Sequence, residues 1–456
     1  MSSEAMARPK VTGRELLRKV VHMAVGLIAF AVAFLGPTYS AILALTALLT
    51  NIFVLPRVGG KVLWRPGEEE RGRSLGIVLY PAAVLVLILI FWNHLEVATG
   101  VWGILAFGDG MASLVGMTLG GPRLPWNPRK SWSGLLAYCV FGTAGAATLL
   151  WWTLSRTGQP YELTYLIVAA AVTACFSSLI ESQPIELDDN ISVPILAGLV
   201  LHGMLLSQGY WESVDWGTLG EAALYGLIAN AVLGALAYAK RSVDVSGFFG
   251  GLVIGTTIWA FLGWQGWMIL VAFFVIGTGA TKLGYKRKAE RNLAQEGGGR
   301  RSARHAFANT GVPMVAAVFA ATTDFGHIYL PAFVAAFATA TGDTMGSEIG
   351  QLWGRRTFLI TTLKPVPRGT EGAVSLEGTL ATILGSFAVA CLGWGLGFYG
   401  LTEALLITLA AFIGTTLESY VGATIEKAGL LDNESVNFLN TLIGAVCAAG
   451  LVALFV

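Results

Sequence analysis

Residues 108–116 read GDGMASLVG, and Asp109 follows the apolar run VWGILAF. A carboxylate between two glycines at the end of such a run needs a reason. On insertion scales an Asp at the centre of a membrane helix costs about 2.5–3.5 kcal/mol, so it faces the bundle interior or water. Residues 342–350 read GDTMGSEIG, and Asp343 follows a second apolar run, PAFVAAFATAT. Gly, Asp, Met, Ser and Gly recur at the same five places, and the rest of the chain has to explain both copies.

The setting is a membrane. The 456 residues are 55% hydrophobic and only 12% charged, with mean hydropathy +0.66. Soluble domains carry about 25% charged residues, and a bilayer core takes about 20 apolar residues per helix. The sequence predicts an all-α polytopic integral membrane protein with about fifteen spans. They lie near 15–36, 38–55, 74–92, 96–118, 132–152, 162–181, 192–208, 218–239, 246–263, 265–282, 304–323, 326–343, 373–396, 401–425 and 435–456. The first span has a basic start but no small-residue cleavage site, and is expected to be retained. Cys139, Cys175, Cys391 and Cys447 lie singly in apolar runs without zinc spacing, as buried packing residues do. The net charge of +1 is uninformative because the charges cluster in loops, and no nucleic-acid partner is expected.

Basic residues set the orientation. Arg8, Lys10, Arg14, Arg18 and Lys19 place the N-terminus in the cytoplasm. Alternation then puts the basic segments 56–73, 119–131, 240–245, 283–303 and 344–372 on the same side. The chain also repeats. Asp109 and Asp343 are each followed 21 residues later by a lysine, Lys130 and Lys364. SWSGL (131–135) faces SLEGT (375–379) after a ten-residue insertion, LIES (179–182) faces TLES (416–419), and DNISV (189–193) faces DNESV (432–436). The ordered set predicts two parallel homologous halves in a 7+1+7 arrangement: residues 1–217, a linker helix and loop at 218–245, and residues 246–456.

Each half gathers oxygen ligands and a lysine near one membrane face. Asp109, Asp189, Asp343 and Asp432 are the candidate metal ligands. Oxygen donors suit Mg²⁺, which shares its shell with substrate phosphates. Lys130 and Lys364 are point charges for phosphate, or else ordinary positive-inside anchors. Glu181 and Glu418 close the spans that lead back to the same side. Gly108, Gly342, Ser113, Ser347, Asn190 and Asn433 complete the two polar sets, with Arg18, Lys19 and His22 on the first span. The basic 283–303 loop leads into Arg301, Arg304, His305 and Asn309, a candidate phosphate-gathering segment, and Arg368 lies in a later loop. The inventory fits metal-assisted phosphoryl or nucleotidyl transfer, where positioning and charge neutralisation do the catalysis. No P-loop, G-x-S-x-G or HExxH motif occurs. The loops are too short for a separate nucleotide domain, so the acceptor is expected to be a lipid.

The first half resembles the phytol kinase and dolichol kinase family, relatives of phosphatidate cytidylyltransferases. ELLRKVVHMAVG (15–26), GDGMASLVG, LPWNPRKSWSG (124–134), ES (181–182) and DDNISVP (188–194) carry the likeness. The second half resembles the membrane family that includes plant phytyl-phosphate kinases. There the carriers are SGFFGGLVIG (246–255), RRSARHAFANTG (300–311), GDTMGSEIG, GAVSLEGTLA (372–381) and LLDNESVNFLN (430–440). The resemblance implies a CTP-dependent, Mg²⁺-requiring kinase that converts an isoprenoid alcohol such as phytol, geranylgeraniol or farnesol to the monophosphate and then to the diphosphate. The rival readings are a cytidylyltransferase and a transporter built from parallel repeats.

Overall fold

The computed structural model describes residues 13–58, 75–158, 161–183, 189–291, 293, 299–429 and 431–456. The chain is an all-α integral membrane protein that forms two compact units, residues 1–208 and 209–456. Unit 1 holds α1 (Gly13–Gly26), α2 (Ala29–Leu49), α3 (Leu75–Ile90), α4 (Leu95–Gly103), α5 (Gly110–Thr118), α6 (Trp132–Thr157), α7 (Leu163–Glu181) and α8 (Asp189–Leu206). A short helix, α9 (Gln208–Ser213), follows at the boundary. Unit 2 holds α10 (Trp216–Ala239), α11 (Val245–Lys282), α12 (Tyr285–Ala289), α13 (Ala303–Thr322), α14 (Gly326–Trp353), α15 (Leu376–Gly395), α16 (Leu401–Val421) and α17 (Asn433–Phe455).

Among the described residues, nine helices are long and apolar enough to cross a membrane, fewer than the expected fifteen. The difference has identifiable causes. Arg14, Glu15, Arg18 and Lys19 make α1 too polar to span, and it ends at Gly26 rather than near residue 36. Gly76–Ile90 and Val193–Leu206 are apolar but shorter. Polar residues interrupt α13 (Arg304, His305, Asn309) and α14 (Asp343, Glu348), so neither is among the nine. The sequence division at residue 263 falls inside α11, where Gly263 takes φ 64° and ψ −164°. The chain doubles back there: Trp259 and Trp267, eight residues apart, stack edge-on with ring centroids 5.2 Å apart. In a straight helix eight residues would separate them by about 12 Å.

In unit 1, α6 packs against α4, α5 and α7. Its core includes Leu87, Ile104, Leu149, Leu150, Leu166 and Leu201, all fully buried. In unit 2, α14 is the central helix and touches α11, α13, α15, α16 and α17. Its stretch Pro331–Gly342 is buried at every residue. Phe333 and Phe337 fill the middle, with Phe273 of α11 against Phe337 at 5.6 Å. A large set of apolar side chains on the outer helix faces, such as Leu136, Val140, Leu384 and Leu405, is more than half exposed, as lipid contact requires. Cys139, Cys391 and Cys447 are half-buried and Cys175 is exposed, so they are not the enclosed packing residues expected.

Each unit also carries a short antiparallel hairpin. In unit 1 β1 (Arg123–Leu124) pairs with β2 (Asn127–Ser131). In unit 2 β3 (Thr357–Leu359) pairs with β4 (Ala373–Ser375). Both hairpins deliver a serine that caps the next helix: Ser131 accepts from the Gly134 N–H, and Ser375 from the Gly378 N–H. A Cβ at Gly116 would lie 3.3 Å from Ser131 Oγ, and one at Gly350 would lie 3.3 Å from Ser375 Oγ. The two GDxMxSxxG segments thus pack on their capped partners with the same contacts.

Candidate functional site

In unit 1 the chemistry gathers around Asp109. The helix widens to a π-helical turn over Ile104–Asp109, a form that is rare and frequent at functional sites. Helix α1 lies against this turn. It approaches closely because a Cβ at Gly110 would come within 2.6 Å of Met23 Cγ. Lys19, only 6% exposed, donates to both Asp109 oxygens at 3.0 and 3.2 Å. His22 Nε2 lies 2.9 Å from the Leu105 carbonyl oxygen and 3.6 Å from Asp109. Ser113 Oγ stands 3.5 Å from the same carboxylate. Tyr80, which the sequence reading missed, packs its ring 4.4 Å from His22 and accepts from Trp102 at 2.8 Å. Arg18 turns away to Glu15 at 2.5 Å.

The hairpin adds a second pair. Trp126 Nε1 donates to Ser182 Oγ and Asn127 Nδ2 to the Ser182 carbonyl, each at 3.0 Å. These clamps hold β2 against the end of α7 and set Lys130 2.7 Å from Glu181. The Lys130 charge also acts on Asp109. The motifs LPWNPRKSWSG and ES therefore meet, and two carboxylates are matched by two lysines and a histidine. Gly108 is buried beneath the Tyr138 ring. Asp189 and Asn190 begin α8, but their side chains lie outside the described residues.

Unit 2 handles the same carboxylate differently. Asp343 sits inside the regular helix α14 and joins no ion pair among the described residues. The charges acting on it are those of Glu371 and Glu348, both of like sign. Glu418 of α16 feels Asp343, Glu426 and Glu371. Lys364 does not answer them. The ten-residue insertion lies between β3 and β4, so the structural counterpart of Lys130, one residue before the capping serine, is Val374. Lys364 lies exposed in the hairpin loop, and its equal spacing to Asp343 has no counterpart in space. Arg368 is half-buried in the same loop. Ser347 is exposed and donates only to the Thr344 carbonyl at 3.2 Å. Gly342 is buried against Ser386.

The buried cation of unit 2 goes elsewhere. Lys288, 1% exposed, donates to the Ala280 and Thr281 carbonyls and to Glu348 Oε2. Neither residue of this pair was singled out in the sequence. Glu348 was legible only as a change, since the matching position of GDGMASLVG is Leu114. Arg304 is exposed and pairs with Asp432, which also caps α17 through the Ser435 N–H at 3.0 Å. Burial pushes the Asp432 carboxyl up, but the Ser435 hydrogen bonds and the Arg304 charge outweigh it and hold it below the usual range. Asn433 bonds Asn437 at 3.1 Å. Arg301, His305 and Asn309 do come together, along an apolar cavity bordered by α10, α11 and α13. Burial pushes the Arg301 guanidinium down to about 10 against the opposing pull of Glu348, so it stays charged at neutral pH.

Metal ligation can be tested against this geometry. Among the described residues no three His, Cys, Asp or Glu side chains converge to hold a metal alone. Asp109 is already held by Lys19, and Asp432 by Arg304 and its helix. Asp343, Glu371 and Glu418 are oxygen donors with no cation paired to them among the described residues. They are hard oxygen donors of the type Mg²⁺ takes, but they do not converge as a three-ligand site among the described residues.

Comparison with known proteins agrees with the membrane fold. Residues 228–445 match the family described as integral membrane protein DUF92. An uncharacterized membrane protein of Synechocystis is 42% identical over 238 residues, covering 50% of this chain and 91% of the relative. The chloroplastic protein VTE6 of Arabidopsis thaliana is 38% identical over 260 residues, covering 56% of this chain and 76% of VTE6. Chloroplastic phytol kinase 1 of Arabidopsis thaliana is 30% identical over 225 residues, covering 46% of this chain and 72% of the kinase. No solved structure matches the chain. With relatives this similar along most of their own length, the chain belongs to the DUF92 family of integral membrane proteins.

Proposed function

We propose that the chain is a membrane isoprenoid kinase with two related, parallel halves whose polar clusters face the cytoplasm. The observation that carries the reading is the likeness to phytol kinases, 30% identical over most of their length. The Asp109 cluster adds chemistry suited to phosphoryl transfer. Unit 1 takes the neutral alcohol, and unit 2 takes the monophosphate to the diphosphate. CTP is the donor and Mg²⁺ the metal.

In unit 1, Asp109 and His22 face the acceptor hydroxyl, while Lys19 and Lys130 neutralise charge that grows on the transferred group. Glu181 orients Lys130. In unit 2, Asp343, Glu418 and Glu371 would supply oxygen ligands to a Mg²⁺ brought in with the substrate phosphates, and that metal would give the charge neutralisation that lysines give in unit 1. Lys364 drops out of this scheme because it lies exposed in the loop between β3 and β4. Gly108 and Gly342 let helices close behind each Asp, and Arg18 and Ser347 support their own helices rather than substrate.

The test is a product-resolved assay on the purified full chain in detergent, with Mg²⁺, CTP and phytol or geranylgeraniol. Wild type should give diphosphate, Asp109→Asn little product, and Asp343→Asn accumulated monophosphate. Release of pyrophosphate instead of CDP would replace the kinase by a cytidylyltransferase. No phosphorylated prenyl product with any nucleotide would end the kinase reading.

A further inference from the structure

Arg301 is the most unusual charge in unit 2. It is 8% exposed, yet its guanidinium makes no hydrogen bond or ion pair among the described residues. It lies over the Phe273 ring at 5.2 Å and presses against the backbone at Gly277. Its main chain is fixed: Arg301 N–H donates to the Ser242 carbonyl at 3.0 Å, and its own carbonyl accepts from the Asp244 N–H at 3.2 Å. The side chain is thus aimed by a rigid frame. A structural arginine would close on the carboxylate whose charge acts on it, Glu348. Glu348 keeps Oε1 without a partner, and Arg301 still does not reach it. A buried guanidinium with unspent donors is costly unless something else satisfies it.

The surroundings say what that is. Arg301, His305 and Asn309 line one part of a cavity whose other walls are mostly apolar, including Leu233, Phe248, Ile254, Phe273 and Phe274, with Asn230 and Thr310 the polar exceptions. The two asparagines on the wall are already engaged by protein groups. Asn230 accepts from Trp267 and donates to the Gly226 carbonyl, and Asn309 donates to the His305 carbonyl. The outer flanks of α10 and α11 are apolar and open, with Leu236, Phe249 and Val253 each more than half exposed. A guanidinium fork matches phosphate oxygens, and the walls match hydrocarbon.

We propose that the groove between α10, α11 and α13 binds a single-chain lipid monophosphate, with the phosphate on Arg301 and the hydrocarbon along Ile254, Phe273 and Phe274. This rests on the reading of unit 2 as the half that accepts a prenyl monophosphate, and it locates that substrate. Helix α10, set aside as a linker in the sequence, becomes a wall of the site.

Equilibrium binding to the full chain in detergent, without nucleotide, tests the groove apart from turnover. The probes are geranylgeranyl monophosphate, geranylgeraniol, a C5 prenyl monophosphate, phosphatidate and CTP. Arg301→Gln should weaken geranylgeranyl monophosphate at least about tenfold, or about 1.4 kcal/mol, and leave geranylgeraniol unchanged. Gly251 lines the groove and a Cβ there meets nothing within 4 Å, so Gly251→Leu narrows the groove without a backbone clash. It should weaken the C20 monophosphate more than the C5 compound, which keeps the test valid if Arg301→Gln fails to fold. Wild-type affinity for the C20 monophosphate in both variants would overturn the proposal. So would Arg301-dependent binding of CTP, or of phosphatidate as tight as the prenyl compound. Diphosphate synthesis with an unaffected Arg301→Gln sinks the groove and leaves the kinase. Arg301-dependent lipid binding without any phosphorylated product sinks the kinase and leaves the groove.

Discussion

Each unit has one deeply buried lysine near its GDxMxSxxG segment, and the two lysines choose different carboxylates. In unit 1 Lys19 takes Asp109, the conspicuous acid of the motif. In unit 2 Lys288 takes Glu348, five residues past the corresponding Asp343, at a position where unit 1 has Leu114. The exchange leaves Asp343 among like charges. One carboxylate is already paired with a lysine, and the other stands among acids with no ion pair among the described residues. Two segments alike in five of nine residues thus build opposite electrostatics, because the partner is set by a neighbouring helix and not by the motif.

The largest effect expected from breaking this pattern is on stability. Lys288→Met leaves Glu348 buried and unpaired, which costs about 3–5 kcal/mol. The double variant Lys288→Met/Glu348→Leu should recover most of that loss, because an apolar pair of similar volume avoids the desolvation of both charges. Thermal unfolding of the single and double variants in the same detergent reads the difference. If the double variant is no more stable than the single one, Glu348 has another partner and the exchange is misread.

The next effect separates the two lysines that share a 21-residue spacing. Lys130→Ala removes the partner of Glu181 and should lower alcohol phosphorylation at least about tenfold, equivalent to about 1.4 kcal/mol of barrier. Lys364→Ala should leave both product-forming steps within about twofold. Equal losses from the two variants would restore the symmetry that the hairpin geometry denies.

The smallest effect concerns Asp432, which pairs with Arg304 and caps α17. Asp432→Ala removes the cap of α17 and should cost about 1 kcal/mol. Its folded value is held below the unfolded one of about 3.9. The contribution is therefore full above about pH 4 and is lost as pH falls through the lower folded value. Unfolding of wild type and variant should converge in acid and differ at neutral pH. A difference that persists at low pH would assign the effect to packing instead.

The membrane class, the all-helical fold and the two acidic motifs were legible in the sequence, because apolar runs and repeated polar landmarks are local signals. Sequence reading also joined Arg18, Lys19 and His22 to the first site, and Lys19 and His22 do reach Asp109. It failed where partners come from distant helices. Lys288 looks like any loop lysine in KRKAER, and Glu348 like a helix-face glutamate; only folding buries them together. Lys364 failed for the converse reason, since spacing along the chain hides an insertion that spatial register exposes. Helix count failed because hydropathy does not show that α1 stops at Gly26 or that polar side chains interrupt α13 and α14, whereas the division at residue 263 coincides with the turn at Gly263 inside α11.

The claim of opposite electrostatics is tested most directly by Mg²⁺ itself, without substrate. Melting temperature of the purified full chain would be followed as Mg²⁺ is added to wild type, Asp109→Asn and Asp343→Asn. A cation that binds the folded protein raises its stability by mass action. The account predicts a Mg²⁺-dependent rise in wild type and in Asp109→Asn, and none in Asp343→Asn. A rise that disappears in Asp109→Asn and survives in Asp343→Asn would contradict it.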